Sequence, residues 1–573
     1  MMSKFNYEKY NELFNKYNRI VNYISIIRLI VFIGIIISFF ISSSINYYFY
    51  IALFFVLVFV VLIFVHDKYY KMFDYYSRVI KVIEKYKDRI NGKWRNFDDT
   101  GEDFSNELLS DLNIVGNNSL FQYLSICKTT GGRKRLVDKL SNKKVTKKDL
   151  DKNQEMIIEL SKDVSFVVDF QARMLGKCNN DIIDFDDGFI FLNQDVGCRN
   201  IDLFFGVVFS IISLSLLFLG YIKVISYNYF YGMFIFNFLI NYMYSYIYSK
   251  EFSGISIVSS SYGNLYKIYE SILNRKFISK KMNDIYNNIN NSYESVKRLV
   301  FIDSLNNLKN NILSSFVFNG LFCVNIIVMF LYSKFQGNGI KKGIDCIYEL
   351  EAMISLASIG IIRDDVCIPC YSDDVCINVS NLKHPLIDKN KCVGNSFYGN
   401  SGINIITGSN MGGKTSFLRT IGINLILMNS GTYVCADSFT SSYFKIFSSI
   451  SVEDNLDKGI STFYAELLRI NKALKYNEGN RLILVDEIFK GTNYNDRIYG
   501  AIEVIKKLND NRTIAFITTH DFELCDAKGD NINNYYVKEY YENDIIKFDY
   551  KIRKGKCTST NAKYLMKELG IIE

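Results

Sequence analysis

The sequence predicts an α/β domain with a phosphate-binding loop at its C-terminal end, preceded by an all-α region that two transmembrane hairpins interrupt. Three observations predict this arrangement. The stretch TGSNMGGKTSFLRT, residues 407–420, follows a short apolar segment and has the spacing of a phosphate loop. Long uncharged stretches occur at two places before it, and each is long enough for a pair of membrane helices. Most of the remaining N-terminal sequence alternates polar and apolar residues at helical intervals.

The composition limits the class of protein. The chain has 573 residues, of which 49% are hydrophobic and 22% are charged. It is therefore too apolar for a disordered protein and too charged for a many-spanning channel. The net charge of +8 suits a cytoplasmic membrane surface as well as nucleic acid, so it favours neither partner. Twelve cysteines without disulfide-like spacing indicate a reducing compartment.

The first predicted hairpin covers residues 29–65, which contain no charged residue. This length is nearly twice the roughly 20 apolar residues that one spanning helix needs, and SSSIN at 42–46 divides it into two helices. The second hairpin covers 201–249, with uncharged stretches at 203–222 and 229–248. The alternative interpretation is that these stretches are buried core helices. It is credible for one such stretch but poor for four stretches that occur in two pairs.

Residues 310–333 are also uncharged, but the topology argues against a fifth span. Lys and Arg are frequent at 4–28 and 67–96, which places these flanks in the cytoplasm by the positive-inside rule. Two hairpins return the chain to that side, where ATP is, whereas a fifth crossing would put the phosphate loop outside. We therefore expect 310–333 to be one buried or membrane-grazing helix. The predicted localisation is a multi-pass membrane protein with a cytoplasmic C-terminal domain.

The soluble N-terminal segments are expected to be helical, with helical patterning at 103–176 and 260–310 and an amphipathic helix at 344–358. Two basic runs, KTTGGRKR at 128–135 and NKKVTKK at 142–148, either contact nucleic-acid phosphates or form a solvated helix face, which is the interpretation we favour. The predicted order is an N-terminal cytoplasmic segment (1–28), hairpin 1 (29–65), a first helical region (66–200), hairpin 2 (201–249), a second helical region (250–378) and the α/β domain (379–573).

A group of cysteines precedes the α/β domain. Cys367 and Cys370 form a C-x-x-C, and Cys376, Cys392 and His384 are nearby, a set of residue types that zinc accepts. The spacing fits no standard zinc finger. The pentapeptide DDVCI occurs twice here, which favours two short alternating strands.

The phosphate loop follows INIIT (403–407), which is predicted to be a buried strand. The segment 408–415 matches G-x-x-x-x-G-K-[ST] in full. Its glycines let backbone N–H groups surround the phosphates, Lys414 contacts the β- and γ-phosphates, and the Thr415 hydroxyl binds Mg²⁺. The helix that starts there directs its positive end at the anion. The predicted nucleotide-binding residues are Gly408, Ser409, Asn410, Met411, Gly412, Gly413, Lys414 and Thr415.

Two further apolar strands end in the other residues of the expected site. RLILVDE (481–487) ends in two carboxylates: Asp486 is predicted to hold Mg²⁺, and Glu487 to orient and deprotonate the attacking water. TIAFITTH (513–520) places His520 toward the γ-phosphate, where it senses or polarises that group. A solvated acidic turn and a structural histidine are the alternatives. The predicted catalytic residues are Lys414, Glu487 and His520, the metal ligands are Thr415 and Asp486, and the cofactors are ATP and Mg²⁺.

These motifs resemble the ATPase domain of the MutS family of DNA mismatch repair proteins. TGSNMGGKTSFLR is similar to that family's TGPNMGGKS, with Ser409 in place of proline. VDEIFKGTNYNDR resembles DEIGRGTSTYDG and departs from it most at Phe489, at 493–495 and at Arg497, and TTHDFEL resembles ATHYFEL. The resemblance implies a P-loop NTPase fold of the ABC and MutS type that hydrolyses ATP with Mg²⁺.

DNLDKGISTFYAEL (454–467) resembles the family's signature segment. The resemblance implies that Ser461 contacts the γ-phosphate held by a partner subunit, so that ATP binds at composite sites in a homodimer. KHPLI at 383–387, ELEAMISLAS at 349–358 and the tail at 548–571 fit the family too. The helices at 103–176 fit more weakly, and they imply a MutS-core-like helical region.

Two features differ from repair MutS proteins. The Phe-x-Glu motif with which those proteins read mismatches does not occur before residue 103, and the second hairpin interrupts the helical core roughly where they insert a DNA clamp. The sequence therefore most resembles membrane-attached MutS-like ATPases, with DNA as a candidate partner and mismatch recognition not expected. An ABC half-transporter is the main alternative, but ISTFYAEL stands where its L-S-G-G-Q signature would be. A third interpretation is a binding or scaffold protein in which nucleotide only switches the conformation. Glu487 and Ser461 argue instead for turnover of ATP.

Overall fold

The computed structural model describes residues 2–42, 47–175, 182–185, 200–262, 265–308, 312–335, 337, 339–450, 462–527, 529–542 and 545–556. Contacts divide the chain into two compact units. Unit 1 comprises Met1–Glu84, Lys128–Gly132 and Ser165–Leu350, and unit 2 comprises Lys85–Cys127, Arg133–Val164 and Glu351–Glu573. Segments of the helical region at 85–127 and 133–164 thus belong to the same compact unit as the α/β domain.

The α-helices of the described residues are α1 Tyr7–Ser42, α2 Tyr47–Ile90, α3 Glu107–Asp111, α4 Leu120–Leu124, α5 Thr130–Leu140, α6 Lys147–Lys162, α7 Val164–Met174, α8 Asn200–Tyr221, α9 Tyr227–Ile247, α10 Ser249–Tyr262, α11 Leu265–Leu273, α12 Lys280–Asn307, α13 Ile312–Phe322, α14 Val324–Ser333, α15 Ile340–Ile362, α16 Lys414–Asn429, α17 Thr462–Lys475 and α18 Tyr494–Leu508. These bounds confirm the helical patterning predicted between 103 and 176 and between 260 and 310. The helix predicted at 344–358 lies within α15, but 351–359 are buried on every side, so its amphipathic character is wrong there.

Three helices among the described residues, α1, α2 and α8, are long and apolar enough to cross a membrane. By the same criteria of length and composition, the bent pair α13–α14 raises the number to four if it counts as one span. The break between α1 and α2 agrees with the division predicted at 42–46, of which 43–46 lie outside the described residues. Helix α9, which covers the remaining predicted span, is rich in Asn and Tyr and falls short of this apolarity.

The single helix expected at 310–333 is wrong, because α13 and α14 meet at 76° on either side of Cys323. Cys323 has a φ of 49°, in the left-handed region. Buried asparagines bind the backbone groups that the break releases. The Asn319 side chain accepts from the Asn325 N–H at 3.1 Å, and the Asn237 amide donates to the Gly320 carbonyl at 3.0 Å. A polar side chain that satisfies freed backbone groups permits a break at an apolar position.

Unit 2 contains two β-sheets. The six-stranded sheet has the order β10-β9-β4-β8-β7-β6 and is parallel except for β10, and the four-stranded sheet has the order β1-β5-β2-β3. The strands are β1 Cys370–Tyr371, β2 Cys376–Leu382, β3 Asn395–Asn400, β4 Gly402–Thr407, β5 Ser438–Ser441, β6 Lys445–Ser449, β7 Arg481–Val485, β8 Thr513–Thr519, β9 Ile532–Glu542 and β10 Ile545–Lys554. Strands β4, β7 and β8 confirm the three strands predicted around the site.

The cysteine group lies at the four-stranded sheet. The second DDVCI enters β2 at Cys376, as predicted, but the first forms only an isolated bridge between Cys367 and Val434. The expectation of two strands is therefore wrong for the first copy. Among the described residues, no group of three or more His, Cys, Asp or Glu side chains is arranged to hold a metal ion.

The central strands of the larger sheet explain where the site lies. Every residue of β4, β7 and β8 is buried, because α-helices cover the sheet and such strands are apolar along their whole length. One face packs against α17 and α18 in a core that includes Ile405, Ile483, Ile517, Ile470 and Ile505. Parallel strands present their carboxyl ends at one edge of the sheet, which is where open α/β sheets bind ligands.

Candidate nucleotide-binding and hydrolysis site

The phosphate loop connects the end of β4 to the start of α16. Gly408 has a φ of 127° and Gly413 a φ of 91°, both in the region that side chains rarely adopt. A Cβ atom at Gly408 would lie 2.7 Å from the Val537 carbonyl oxygen. Both positions therefore favour glycine for conformation, and Gly408 requires it for space as well. Met411, between them, is 65% exposed, whereas the side chain of Asn410 lies outside the described residues.

Lys414 is held against this loop. The residue is 1% exposed, and its Nζ donates to the Gly408 carbonyl at 2.5 Å. The same Nζ lies 3.4 Å from His520 Nε2. A buried ammonium group at a glycine-rich loop that precedes a helix N-terminus creates a strongly anion-attracting position. The lysine and the histidine predicted from separate motifs therefore belong to one site.

The two predicted metal ligands are in direct contact. Thr415 Oγ1 donates to Asp486 Oδ2 at 2.7 Å, although 71 residues separate them. The other carboxylate oxygen of Asp486 accepts from Thr518 Oγ1 at 2.5 Å. Mg²⁺ prefers hard oxygen ligands and usually takes one or two carboxylates from the protein. The donor set of Thr415 and Asp486 fits this ion, with Thr518 orienting the carboxylate.

Glu487 lies between two basic side chains. Its Oε1 is 3.1 Å from His520 Nε2, and its Oε2 is 2.7 Å from Lys490 Nζ. Burial opposes ionisation of Glu487, but the hydrogen bond and charge of Lys490, together with His520, outweigh it and lower the pKa of the carboxyl group. The same hydrogen bond raises the pKa of Lys490. Glu487 is therefore an ionised acceptor at neutral pH, as a group that orients and deprotonates water must be.

The turn that contains Glu487 is strained. Glu487 has a φ of 55° and Phe489 a φ of 60°. Each non-glycine residue in this region costs about 1–2 kcal/mol, so surrounding groups must hold it. The Glu487 N–H donates to Thr518 Oγ1 at 2.9 Å, and the Phe489 N–H donates to Glu466 Oε1 at 2.7 Å. Phe489 occupies the position of the first glycine in DEIGRGTSTYDG, so this chain places a bulky residue where the motif has none.

Glu466 is a buried carboxylate, 6% exposed, on α17. Burial raises the pKa of Glu466 to about 7, and the Phe489 N–H and the charge of Arg469 act against that rise. The sequence indicated Glu466 only as part of the segment 454–467 and did not indicate its contact with the turn, because no spacing rule connects a helix residue to a turn 23 residues further along the chain. The sequence could have indicated Thr518, because side chains alternate between the two faces of a strand and Thr518 is therefore on the same side as His520.

A second buried carboxylate, Asp111 at the end of α3, holds the flanks of the signature segment. It accepts from Ile450 N at 3.2 Å and from Ser448 Oγ at 2.8 Å before that segment, and from Arg469 Nη1 at 2.9 Å after it. Ser461 and its neighbours at 451–460 lie outside the described residues, as does the tail from 557 onward. The predicted contact of Ser461 with a partner's nucleotide therefore stays a prediction.

Two departures from the family motifs form an ion pair with each other. Arg497 Nε lies 2.9 Å from Asp521 Oδ2, and its Nη2 donates to Asp521 Oδ1 at 2.9 Å. Arg497 replaces the last glycine of DEIGRGTSTYDG, and Asp521 replaces the tyrosine of ATHYFEL. This ion pair connects α18 to the residue that follows His520, and both side chains are at least three-quarters buried (24% and 14% exposed).

Comparisons with known proteins match the part of the chain that contains these residues. The family model described as MutS domain V matches residues 404–567. Endonuclease MutS2 of Clostridium novyi is 32% identical over 256 residues, which are 43% of this chain and 32% of that protein. DNA mismatch repair protein MutS of Carboxydothermus hydrogenoformans is 30% identical over 251 residues, which are 42% of this chain and 29% of that protein.

DNA mismatch repair protein MutS of Lactobacillus acidophilus is 35% identical over 217 residues, 36% of this chain and 25% of that protein. The match thus spans about a third or less of the length of these curated relatives. The phosphate loop, Asp486, Glu487 and His520 all lie within residues 404–567. Residues 404–567 are therefore similar to MutS domain V, the ATPase-containing region of MutS proteins, and about two-fifths of the chain is similar to MutS and MutS2 proteins.

Proposed function

We propose that this protein is a membrane-attached, MutS-like ATPase that binds and hydrolyses ATP with Mg²⁺ at composite sites in a homodimer. The observation that carries the proposal is the convergence of five side chains at the carboxyl ends of β4, β7 and β8. They are Lys414, Thr415, Asp486, Glu487 and His520, in contact as described above.

Each group has a role that its contacts support. The loop amides and Lys414 hold the phosphates, and Thr415 with Asp486 holds Mg²⁺, which supplies charge neutralisation when it is bound. Glu487 orients a water molecule and accepts its proton. His520 lies 3.4 Å from the Lys414 amine and 3.1 Å from the Glu487 carboxylate, so it links the phosphate-binding group to the base.

The experiment is Mg²⁺-dependent phosphate release by the detergent-solubilised full-length protein, together with binding of a fluorescent ATP analogue. We expect the wild type to bind and hydrolyse ATP and Lys414→Ala to bind none. The control is Glu503→Gln, which removes an exposed ion pair with Lys506 on α18 and should change neither readout. Lys414→Ala that hydrolyses ATP at the wild-type rate would place the activity elsewhere.

The composite site rests on the resemblance of the signature segment and on the surface around the loop. Met411 in the loop is 65% exposed, Tyr464 near the start of α17 is 53% exposed, and Tyr494 at the start of α18 is 49% exposed. Exposed apolar side chains on elements around a nucleotide loop suit a surface that a second subunit covers. Ser461, one residue before α17, would then contact the partner's γ-phosphate.

Membrane attachment rests on the surfaces of α1, α2 and α8. Only 11%, 6% and 17% of the residues in their most apolar windows are buried. Such continuous apolar surface is unfavourable in water and favourable in lipid, so a bilayer is the environment that suits these helices. We propose that these helices anchor the chain and that α9 completes the second hairpin with α8, which leaves the ATPase region in the cytoplasm.

DNA is a candidate partner that the printed names of the relatives suggest. In the first basic run, however, Arg133 already pairs with Asp99 at 2.8 Å and Asp103 at 3.0 Å. In the second, Lys143 pairs with Asp138 at 2.5 Å. Both side chains are thus paired with carboxylates, Arg133 in a buried position and Lys143 between α5 and α6, which argues against their binding nucleic-acid phosphates. Salt-dependent binding of duplex DNA by the solubilised protein tests this, because binding through phosphates weakens steeply as salt rises.

A further inference from the structure

The residue that extends the proposed function is Glu466, which lies within the signature segment 454–467 and has no role in the proposed function. Its carboxylate is buried, and within the described part of the chain its hydrogen bond is the one from the Phe489 N–H, at 2.7 Å. Burial of a carboxylate is costly, and a neutral side chain would fill the same space at lower cost. An ionisable acceptor at this place therefore calls for a reason beyond packing.

The acceptor lies on the helix that follows the signature segment. Helix α17 begins at Thr462, directly after Ser461, and Glu466 is in its second turn. The ring of Phe463 on the same helix contacts the ring of Phe489 edge to face, with centroids 5.9 Å apart. A Cβ atom added to Gly491 would lie 3.0 Å from Phe463 Cβ, so helix and turn also meet closely there.

The turn needs such support because its backbone is strained at Glu487 and at Phe489. The two hydrogen bonds that hold it come from different elements. Thr518 of β8 binds the Glu487 N–H and belongs to the rigid sheet, whereas Glu466 of α17 binds the Phe489 N–H and belongs to the signature helix. A displacement of α17 therefore acts on one side of the turn while the sheet holds the other.

We propose that Glu466 is a positioning residue: it holds the strained turn through the Phe489 N–H and thereby couples the position of the signature helix to the orientation of Glu487. This inference rests on the proposed ATP hydrolysis. A partner's nucleotide that draws the start of α17 toward it would set Glu487 for attack, and release of that nucleotide would relax it. Binding at one composite site is thus coupled to hydrolysis at the other through one backbone hydrogen bond.

The test uses three variants of the full-length protein. Glu466→Leu removes the acceptor, Glu466→Asp keeps the charge but withdraws the oxygens by one methylene, and Glu466→Gln keeps an acceptor oxygen without the charge. Each is measured for kcat of ATP hydrolysis, for Kd of a fluorescent ATP analogue and for thermal unfolding. Glu503→Gln is the surface control.

We expect Glu466→Leu and Glu466→Asp to lower kcat at least about tenfold while the analogue Kd stays within about threefold, since a lost interaction that acts only on the reactive geometry affects kcat. Glu466→Gln should stay within about threefold of wild-type kcat, because its amide oxygen still accepts the N–H. This rescue distinguishes positioning from bulk stability.

Three results would overturn the proposal. Wild-type kcat in both the Leu and the Asp variant would show that the hydrogen bond between Glu466 and the Phe489 N–H does not position Glu487. An equal loss in the Gln variant would assign the effect to charge rather than to the acceptor. Loss of analogue binding or of folding in parallel with kcat, in both Leu and Asp variants, would make Glu466 a stability residue. A wild-type protein without Lys414-dependent hydrolysis would instead refute the proposed function.

Discussion

Replacement of the proposed base gives the most direct test of the site. Glu487→Gln keeps the shape of the side chain, but its amide no longer carries the negative charge that faces Lys490 at 2.7 Å and His520 at 3.1 Å. Proton transfer by a positioned base contributes about 100- to 10,000-fold, so the loss of transition-state stabilisation is about 3–5 kcal/mol. The groups that hold phosphate and Mg²⁺ are unchanged.

The assay compares single-turnover phosphate release with retention of labelled ATP after gel filtration. We expect Glu487→Gln to bind ATP with wild-type affinity, to retain it and to hydrolyse it at least about 100-fold more slowly. Glu503→Gln, which changes the same functional group at an exposed position of α18, should behave as the wild type. Hydrolysis by Glu487→Gln at the wild-type rate would refute the assignment of the base.

The pKa of Glu487 adds a pH test. Because that pKa lies below its ordinary value of 4.5, the carboxylate stays ionised through neutral pH, and an acidic loss of activity from this group begins only below that value. The stability that this carboxylate contributes to the fold depends on pH in the same direction as the activity. That contribution is present above the unfolded-state pKa and is lost as the pH falls through the folded-state pKa. Lys490→Ala removes positive charge that favours the ionised form of Glu487, so the pKa of Glu487 should rise. The acidic limb of the pH–activity profile should therefore move to higher pH. An unchanged limb would show that Lys490 does not govern this group.

Three further expectations concern the assembly, the topology and the fold. Mixing Lys414→Ala with Ser461→Arg should recover ATPase activity, because a mixed dimer restores one composite site; no recovery despite subunit exchange would contradict a shared site. Reporters placed after Glu573 and near Lys148 should both read cytoplasmic, and an external C-terminal signal would contradict the two-hairpin topology. Asp111→Ala should lower the free energy of unfolding by about 3 kcal/mol, because it leaves a half-buried arginine without its carboxylate; chemical denaturation measures this, and a change below about 1 kcal/mol would show that the pair is not coupled to stability.

The motifs of the ATPase region were predictable because each is contiguous in sequence. Within 408–415 the glycines, the lysine and the threonine act through neighbouring backbone atoms, so their spacing alone specifies a loop that binds phosphate. The apolar runs of β4, β7 and β8 are equally local, because a strand covered on both faces is apolar throughout. Because parallel strands present their carboxyl ends at one edge of the sheet, the sequence also indicated that Lys414, Asp486 and His520 lie close together.

Other features depend on pairings between distant residues, which short patterns do not encode. The acceptor of the Ile450 N–H is Asp111, 339 residues earlier, and the acceptor of the Phe489 N–H is Glu466 on α17. The break at Cys323 is stable because asparagines of neighbouring segments satisfy the backbone groups it frees. In each case a backbone group must be satisfied wherever the folded chain brings an acceptor within reach. Which residue supplies that acceptor is settled by packing and not by local composition.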